Sequence, residues 1–182
     1  TSIVTGANGY VGRAVVHELL DRCCRSATAT GINTSNQQQQ HNQHIICLVR
    51  PPRVESEKLY WKDEEAMIKV MPYDMLDGGA TLQDALASTC GPTAEQQKVC
   101  VYHVASVFGP TENHTQTALD NVQGTRDLCQ VLRDRGNCKL VLTSSMAAVR
   151  GSGQKPGNGK FYTHQDWNTL SQLGANWGAS YQ

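Results

Sequence analysis

Apolar residues along the chain form two kinds of pattern, short continuous runs and stripes with helical spacing. The runs predict five strands, around Ile3 and Val4 and at residues 44–49, 67–71, 99–106 and 140–145. The stripes predict helices at about residues 10–24, 81–88 and 116–135. Uninterrupted apolar runs are typical of strands that are buried on both faces of a parallel sheet. The alternation of strands and helices therefore predicts an α/β fold with a doubly wound parallel sheet.

One polar stretch interrupts this alternation. Residues 26–43 are dominated by Ser, Thr, Asn, Gln, Gly and His, with four consecutive glutamines at 37–40. Such a segment has too few apolar side chains to form a core, so we expect a low-complexity insertion in a surface loop. His41 and His44 could bind a metal, but no third ligand lies at a familiar spacing, and we assign no metal site.

The junction between the first strand and the first helix is a glycine-rich turn. Gly6 and Gly9 would let the backbone turn tightly and approach a pyrophosphate, and Gly12 would let the helix lie close to the sheet. Free N–H groups at the positive end of the helix dipole would face the anion. An ordinary strand-turn-helix corner is the alternative, because the spacing is not G-x-G-x-x-G. The helix is expected to pack through an apolar stripe comprising Val11, Ala14, Val15 and Leu19.

Arg50 is the candidate residue for cofactor selection. It lies 38 positions after Gly12, and leaving out the 18 residues of the insertion reduces this spacing to 20. The residue that contacts the cofactor ribose usually lies about 20 positions beyond the glycines. An arginine there would pair with the 2′-phosphate of NADP, whereas an acidic residue would repel it. The sequence therefore favours NADP, with an exposed arginine at a strand end as the alternative.

Ligands of such sheets bind beyond the carboxyl ends of the strands. Asp74 follows the third strand, where it could accept a hydrogen bond from an adenine amino group or cap a turn. Ala105 and Ser106 end the fourth strand, where small side chains would let a cofactor pass closely. Ser145 ends the fifth strand, where chemistry is expected.

Two residues of the last predicted helix are poor helix formers. Asn121 and Gly124 lie inside it, and the glycine alone costs about 1 kcal/mol. Either a close approach of helix to sheet or a polar side chain directed into the site would explain them.

Composition narrows the function classes. The 182 residues suggest one domain, 39% of them are apolar, and 16 basic residues balance 16 acidic ones. We therefore expect no nucleic-acid partner, and no apolar run approaches the ~20 residues that span a membrane. Seven cysteines form no C-x-x-C pair, which favours reduced, packed thiols and a cytoplasmic location.

Five motifs, in chain order, resemble the extended short-chain dehydrogenase/reductase family, and most closely its dihydroflavonol and cinnamoyl-CoA reductase-like branch. Residues 5–12 resemble the T-G-x-x-G-x-x-G loop of the family, and residues 49–50 resemble its V-R strand end. Residues 102–106 resemble the H-V-A segment of the branch, and residues 121–125 resemble its N-V-x-G-T helix. Residues 142–145 resemble the strand that delivers the catalytic serine.

This resemblance implies a Rossmann-like fold and reversible hydride transfer between NADPH and a small-molecule carbonyl substrate. Ser145 would hydrogen-bond the carbonyl oxygen, and Tyr181 would donate the proton. The cofactor-binding residues implied by the patterns and the resemblance together are Thr5, Gly6, Asn8, Gly9, Tyr10, Val11, Gly12, Arg50, Asp74, Val104, Ala105, Ser106 and Asn121.

The chain departs from the family pattern at its end. The catalytic tyrosine of the family belongs to Tyr-x-x-x-Lys, and after Tyr181 that lysine would fall beyond Gln182. We therefore expect residues 1–182 to be an NADP-binding Rossmann domain, incomplete at both ends and truncated before the substrate-binding part, that reduces carbonyls poorly. The alternatives are a sugar-nucleotide epimerase or dehydratase, a sterol dehydrogenase, and a non-enzymatic NADP-sensing protein. Oligomeric state is not predicted.

Overall fold

Five strands and four helices alternate along the part of the chain that the structure describes. A computed structural model describes residues 1–29, 44–89, 98–107, 113–151 and 153–170. The strands are β1 (Ser2–Thr5), β2 (Ile45–Val49), β3 (Ile68–Pro72), β4 (Val99–His103) and β5 (Cys138–Leu142). The helices are α1 (Tyr10–Ala29), α2 (Val54–Tyr60), α3 (Ala80–Ala87) and α4 (His114–Arg135). Short 3-10 turns lie at Pro51–Arg53, Lys62–Glu64 and Met146–Ala148.

The five strands form one parallel sheet in the order β3-β2-β1-β4-β5. β1 lies at the centre, and the chain returns from β3 past β1 to form β4. The strand order therefore reverses between β1 and β4. In sheets of this kind, ligands bind beyond the carboxyl ends of the strands at such a reversal. The predicted doubly wound, Rossmann-like sheet is confirmed.

The strands β1 and β2 are buried because their sequences are continuously apolar or nearly so. All five residues of β2 are buried, and Ile3, Val4 and Thr5 of β1 are fully buried, whereas the edge strand β5 is largely exposed. Burial on both faces is what their uninterrupted apolar runs predict. One core cluster joins the sheet to α1 and to Trp61 just after α2, and its members are Val4, Ala7, Val16, Leu20, Ile45, Cys47, Val49, Trp61 and Ile68.

Helix α1 packs through part of the predicted stripe and through residues beside it, because Val15 and Leu19 of the stripe lie partly buried against the core. Val16 and Leu20 are buried, whereas Val11 and Ala14 are exposed. The reason is Gly12, which is itself buried and lies against the main chain of the preceding turn. This close approach turns residues one and two helical turns after Gly12 toward the core.

Three predicted boundaries are corrected by the structure. α1 continues to Ala29, so the first four residues of the predicted insertion at 26–43 are helical, and 30–43 lie outside the described residues. β4 ends at His103, which places Ala105 and Ser106 after the strand. β5 ends at Leu142, so Ser145 also follows its strand. After β4, the N–H groups of Val104 and Ala105 donate to the Thr5 side chain rather than to a neighbouring strand, which accounts for its earlier end.

The chain divides into two compact units. The sheet unit comprises the described parts of Thr1–Asp74, Ala80–Ala105 and Val131–Leu142, and it contains all five strands. The second unit comprises the described parts of Met75–Gly79, Ser106–Gln130 and Thr143–Gln182.

Gly124 is explained by a contact inside the second unit. A Cβ atom at this position would lie 2.8 Å from the carbonyl oxygen of Met75. Only glycine therefore allows α4 to approach this loop so closely. The expected close approach exists, but it is made to the Met75 loop rather than to the sheet.

Candidate functional site

The glycine-rich turn after β1 is crowded by its own backbone. Gly6 has φ of 66°, a conformation that favours glycine, and a Cβ there would lie 2.9 Å from the main chain of Ala105. A Cβ at Gly12 would lie 2.8 Å from Cα of Ala7. Both distances are too short for a real side chain. The turn therefore requires glycine at both positions, as the phosphate-loop interpretation predicts.

The start of α1 presents the donors that a phosphate needs. α1 begins at Tyr10, and the N–H groups of a first helical turn have no acceptor within the helix. The Gly9 N–H instead donates to the Gly6 carbonyl at 3.0 Å, which closes the turn below them. Tyr10 and Val11 are exposed, and Asn8 is half-buried. These residues can contact an anion mainly through their main chain.

Thr5 holds the ends of β1 and β4 together. Its side chain is fully buried, and its Oγ1 atom lies 2.8 Å from Nδ1 of His103. The same oxygen accepts the N–H groups of Val104 and Ala105, each at 3.1 Å. Thr5 would therefore support a cofactor by fixing the backbone after β4, whereas its hydroxyl is already occupied.

His103 acts as a neutral acceptor in this network. Burial lowers the pKa of His103 to about 4, so the ring is uncharged near neutrality. Two N–H groups already use the acceptor positions of Thr5 Oγ1, so the Thr5 hydroxyl donates its proton to Nδ1. The ring proton then resides on Nε2.

Arg50, the predicted selectivity residue, and Asp74, the predicted adenine-binding residue, lie just after the carboxyl ends of β2 and β3. Arg50 follows β2 directly and is exposed, and its carbonyl accepts the Arg53 N–H at 2.8 Å in the Pro51–Arg53 turn. Asp74 is also exposed, and its N–H donates to Thr81 Oγ1 at 3.0 Å. This bond involves only the main chain of Asp74, so the adenine contact and the turn-capping role of its carboxylate both stay predictions.

A buried ion pair beside the glycine turn was not predicted from the sequence. Glu57 of α2 is only 1% exposed, and both its carboxylate oxygens accept from Arg13, at 2.7 and 3.2 Å. Trp61 Nε1 donates to the same carboxylate at 2.9 Å, and the Arg13 guanidinium lies 3.9 Å from the centre of the Tyr60 ring. The hydrogen bond to Glu57 raises the pKa of Arg13.

This network fixes α2 to the residue that follows Gly12. The signal for it was present as the four-residue spacing of Glu57 and Trp61, which places both side chains on one helix face. The sequence pattern nevertheless predicts that a glutamate in a charged stretch is exposed, because the pattern does not show the distant arginine with which it pairs.

Ser145 of the second unit caps a short turn. It precedes the Met146–Ala148 turn, and its Oγ atom accepts the Ala147 N–H at 3.2 Å. The side chain is half-buried. Because this bond uses only a lone pair, the hydroxyl proton can be donated to another acceptor.

Asn121 and Ser106 also belong to the second unit. The Asn121 side chain binds both main-chain groups of Val107, accepting its N–H at 2.7 Å and donating to its carbonyl at 3.0 Å. Ser106, the residue before Val107, is exposed. Asn121 therefore fixes the segment after β4, and its direct contact with a cofactor stays a prediction. Tyr181 lies outside the described residues, and its predicted role stays a prediction too.

Among the described cysteines, Cys47 has the properties of a packed thiol. Cys47 is fully buried in β2, and burial raises its pKa to about 12, as expected for a packed thiol.

Within the described ranges, no group of three or more His, Cys, Asp or Glu side chains could hold a metal ion. Across the same residues, no helix combines the length and apolarity needed to cross a membrane.

Solved structures with this architecture include two reductases. The yeast methylglyoxal/isovaleraldehyde reductase Gre2, solved in complex with NADPH, matches 99% of this chain and 48% of its own, with 18% identity and a TM-score of 0.70. Vestitone reductase from alfalfa (Medicago sativa) also matches 99% of this chain and 48% of its own, with 18% identity and a TM-score of 0.53. At this identity both comparisons show the fold.

Sequence comparison identifies the family. An uncharacterized oxidoreductase from the fission yeast Schizosaccharomyces pombe is 32% identical over 96 residues, which are 50% of this chain and 28% of that protein. The chain thus spans less than half the length of these three relatives. The model of the NAD dependent epimerase/dehydratase family matches residues 2–172. With nearly the whole chain matched, the family resemblance seen in the five motifs is confirmed, and the chain belongs to the NAD dependent epimerase/dehydratase family, the extended short-chain dehydrogenases/reductases.

Proposed function

We propose that residues 1–182 are the cofactor-binding part of an NADPH-dependent carbonyl reductase. The observation that carries the proposal is the glycine turn, in which Gly6 and Gly12 leave no space for a side chain. Such packing keeps the main-chain N–H groups at the start of α1 accessible to a pyrophosphate. The residues proposed to bind the cofactor are Thr5, Gly6, Asn8, Gly9, Tyr10, Val11, Gly12, Arg50, Asp74, Val104, Ala105, Ser106 and Asn121.

Arg50 supports NADP as the cofactor. Its side chain is exposed at the end of β2, the strand next to the one that enters the glycine turn. A guanidinium there can form paired hydrogen bonds with a 2′-phosphate. The family description names NAD, so this preference is specific to the arginine of this chain.

Ser145 and Tyr181 are the proposed catalytic residues. Bound NADPH supplies the hydride in this chemistry. The Ser145 hydroxyl, whose proton is not used by its capping bond, would donate to the carbonyl oxygen as negative charge develops. Tyr181 would transfer a proton to the same oxygen. The carbonyl reduced can be a ketone, an aldehyde or a thioester.

Titration with NADPH and NADH tests the cofactor assignment. We expect NADPH to bind at least about tenfold more tightly than NADH, and Arg50→Ala to abolish this preference while leaving NADH affinity unchanged. Arg126→Ala, which removes another exposed arginine, is the matched control and should change neither affinity. Equal affinities in the unsubstituted chain would contradict NADP selection and favour an NAD-dependent epimerase or dehydratase.

A further inference from the structure

Asn168 lies against the turn that follows Ser145. It is a polar side chain with only 8% exposure, in the same unit as Ser145. Its Nδ2 donates to the Ala147 carbonyl at 2.9 Å, and its N–H donates to the Ala148 carbonyl at 2.8 Å. Two consecutive carbonyl groups of the turn are therefore held by one residue 20 positions further along the chain.

These bonds and those of Ser145 fix the same peptide group from opposite sides. The Ala148 N–H donates to the Ser145 carbonyl at 3.0 Å, and the carbonyl of that peptide group belongs to Ala147, which Asn168 holds. The preceding peptide group, between Met146 and Ala147, carries the Ala147 N–H, which donates to Ser145 Oγ at 3.2 Å. A rotation of the turn would thus move the donor that orients the Ser145 hydroxyl.

The turn needs this external support because it is short. Met146–Ala148 is a single 3-10 turn, and Met146 is exposed. Single turns with few internal hydrogen bonds are marginal without tertiary contacts. Asn168 supplies two such contacts from outside the turn.

Gly151 makes the approach of Asn168 possible. A Cβ at Gly151 would lie 2.5 Å from Asn168 Oδ1, so any larger residue there would force the Asn168 amide to move. The same Oδ1 accepts the Leu170 N–H at 3.3 Å. With Nδ2 donating to the Ala147 carbonyl, both the oxygen and the nitrogen of the side-chain amide therefore have a hydrogen-bond partner. The local packing therefore selects an asparagine with its Nδ2 directed at the turn.

We propose that Asn168 is a positioning residue for the Ser145 hydroxyl in carbonyl reduction. The inference rests on the proposed function, because it requires that Ser145 donates to the substrate oxygen. It assigns Asn168 no contact with substrate. Its effect is transmitted through the Ala147 peptide groups to Ser145 Oγ.

The test is kinetic and uses the full-length gene product with methylglyoxal and isovaleraldehyde as probe carbonyls. Asn168→Asp keeps the side-chain volume but replaces the Nδ2 donor by an acceptor that faces the Ala147 carbonyl. We expect kcat to fall at least about tenfold with the NADPH Kd unchanged. Circular dichroism and the midpoint of thermal unfolding show whether the variant is folded.

Asn158→Asp is the matched control. Asn158 belongs to the same unit, and its Oδ1 accepts the N–H groups of Lys160 and Phe161 at 2.9 and 3.0 Å. A carboxylate can accept both bonds, so kcat should stay within about twofold of the original value. An equal loss of kcat in both variants would overturn the inference.

A double-substitution cycle separates positioning from a merely structural role. If Asn168 acts through Ser145, Asn168→Asp should change kcat less than twofold in a Ser145→Ala background. A tenfold loss in both backgrounds would overturn the inference. An unchanged kcat for Ser145→Ala alone would instead overturn the proposed function, so the two failures are distinguishable.

Discussion

Thr5 Oγ1 and His103 Nδ1 lie 2.8 Å apart in a fully buried contact between the ends of β1 and β4. The hydroxyl donates to the ring and accepts two N–H groups, so all its hydrogen-bonding capacity is used. The contact places a polar side chain at the centre of the sheet unit, where the glycine turn begins.

Replacing Thr5 by Val should destabilise the protein by about 2 to 4 kcal/mol. Valine has the same shape but leaves the Val104 and Ala105 N–H groups without this acceptor, and each of these part-buried groups should cost about 1 to 2 kcal/mol, the lower part of the usual range. Urea unfolding measures the loss. Thr5→Ser retains the hydroxyl and should cost about 1 kcal/mol, so equal losses in the two variants would contradict the hydrogen-bond explanation.

Stability should decrease at acid pH because of His103. Its pKa is about 4 in the folded protein and about 6.5 in the unfolded chain, so the unfolded chain binds the proton first as pH falls. The stabilisation is complete above pH 6.5 and is lost as pH falls toward 4. Between pH 7.5 and 4.5 the loss from this residue should be about 2 to 3 kcal/mol.

Urea unfolding of His103→Gln at both pH values isolates this effect. The variant lacks the titrating ring, so its free energy of unfolding should fall by about 2 to 3 kcal/mol less than that of the unsubstituted protein. Identical pH dependence in the two proteins would show that His103 does not titrate in this range.

Glu57→Ala should destabilise the protein by about 2 to 3 kcal/mol. It removes the acceptor of Arg13 and Trp61 from a buried position. The loss should be smaller than the 3 to 5 kcal/mol of a fully buried pair, because the Arg13 side chain is 37% exposed and water can solvate it. Glu55→Ala in the same helix removes an exposed pair with Lys58 and should cost less than about 0.5 kcal/mol. Equal effects of the two substitutions, measured by urea unfolding, would contradict the importance of burial.

Gly12→Ala should impair both folding and cofactor binding. The added methyl group would collide with Cα of Ala7, which costs about 1 to 3 kcal/mol, and the displaced turn should bind NADPH at least about tenfold more weakly. Gly153→Ala provides the comparison, because its φ of 75° would strain an alanine but the added Cβ would meet no heavy atom of the described residues within 4 Å beyond its chain neighbours. We expect it to reduce stability by about 1 kcal/mol without changing the NADPH Kd. Calorimetric titration and urea unfolding measure the two quantities.

The sheet was predictable because its information is local. Apolar runs such as Ile45–Val49 are continuous in sequence, and parallel strands buried on both faces need little else. For α1, apolar spacing predicted Val15 and Leu19 of the packed face but not the burial of Gly12, whose close contact with the preceding turn depends on its having no side chain. Apolar periodicity does not register such a residue.

The polar contacts depend on pairs of residues that are distant in sequence. Glu57 meets Arg13 across 44 positions, and Asn168 meets Ala147 across 21. Glu57 and Asn168 are residue types common at surfaces, and only the folded chain shows that they are buried. The glycine turn could be predicted because all its parts lie within residues 5–12.

The 2.9 Å between a Cβ at Gly6 and the main chain of Ala105 has a consequence for cofactor engineering. Any redesign that enlarges or shifts the segment after β4 would press on the turn proposed to bind the pyrophosphate, and should weaken the binding of NADPH and NADH alike. Arg50, exposed just after β2, is the position proposed for altering the preference between NADPH and NADH without disturbing this turn.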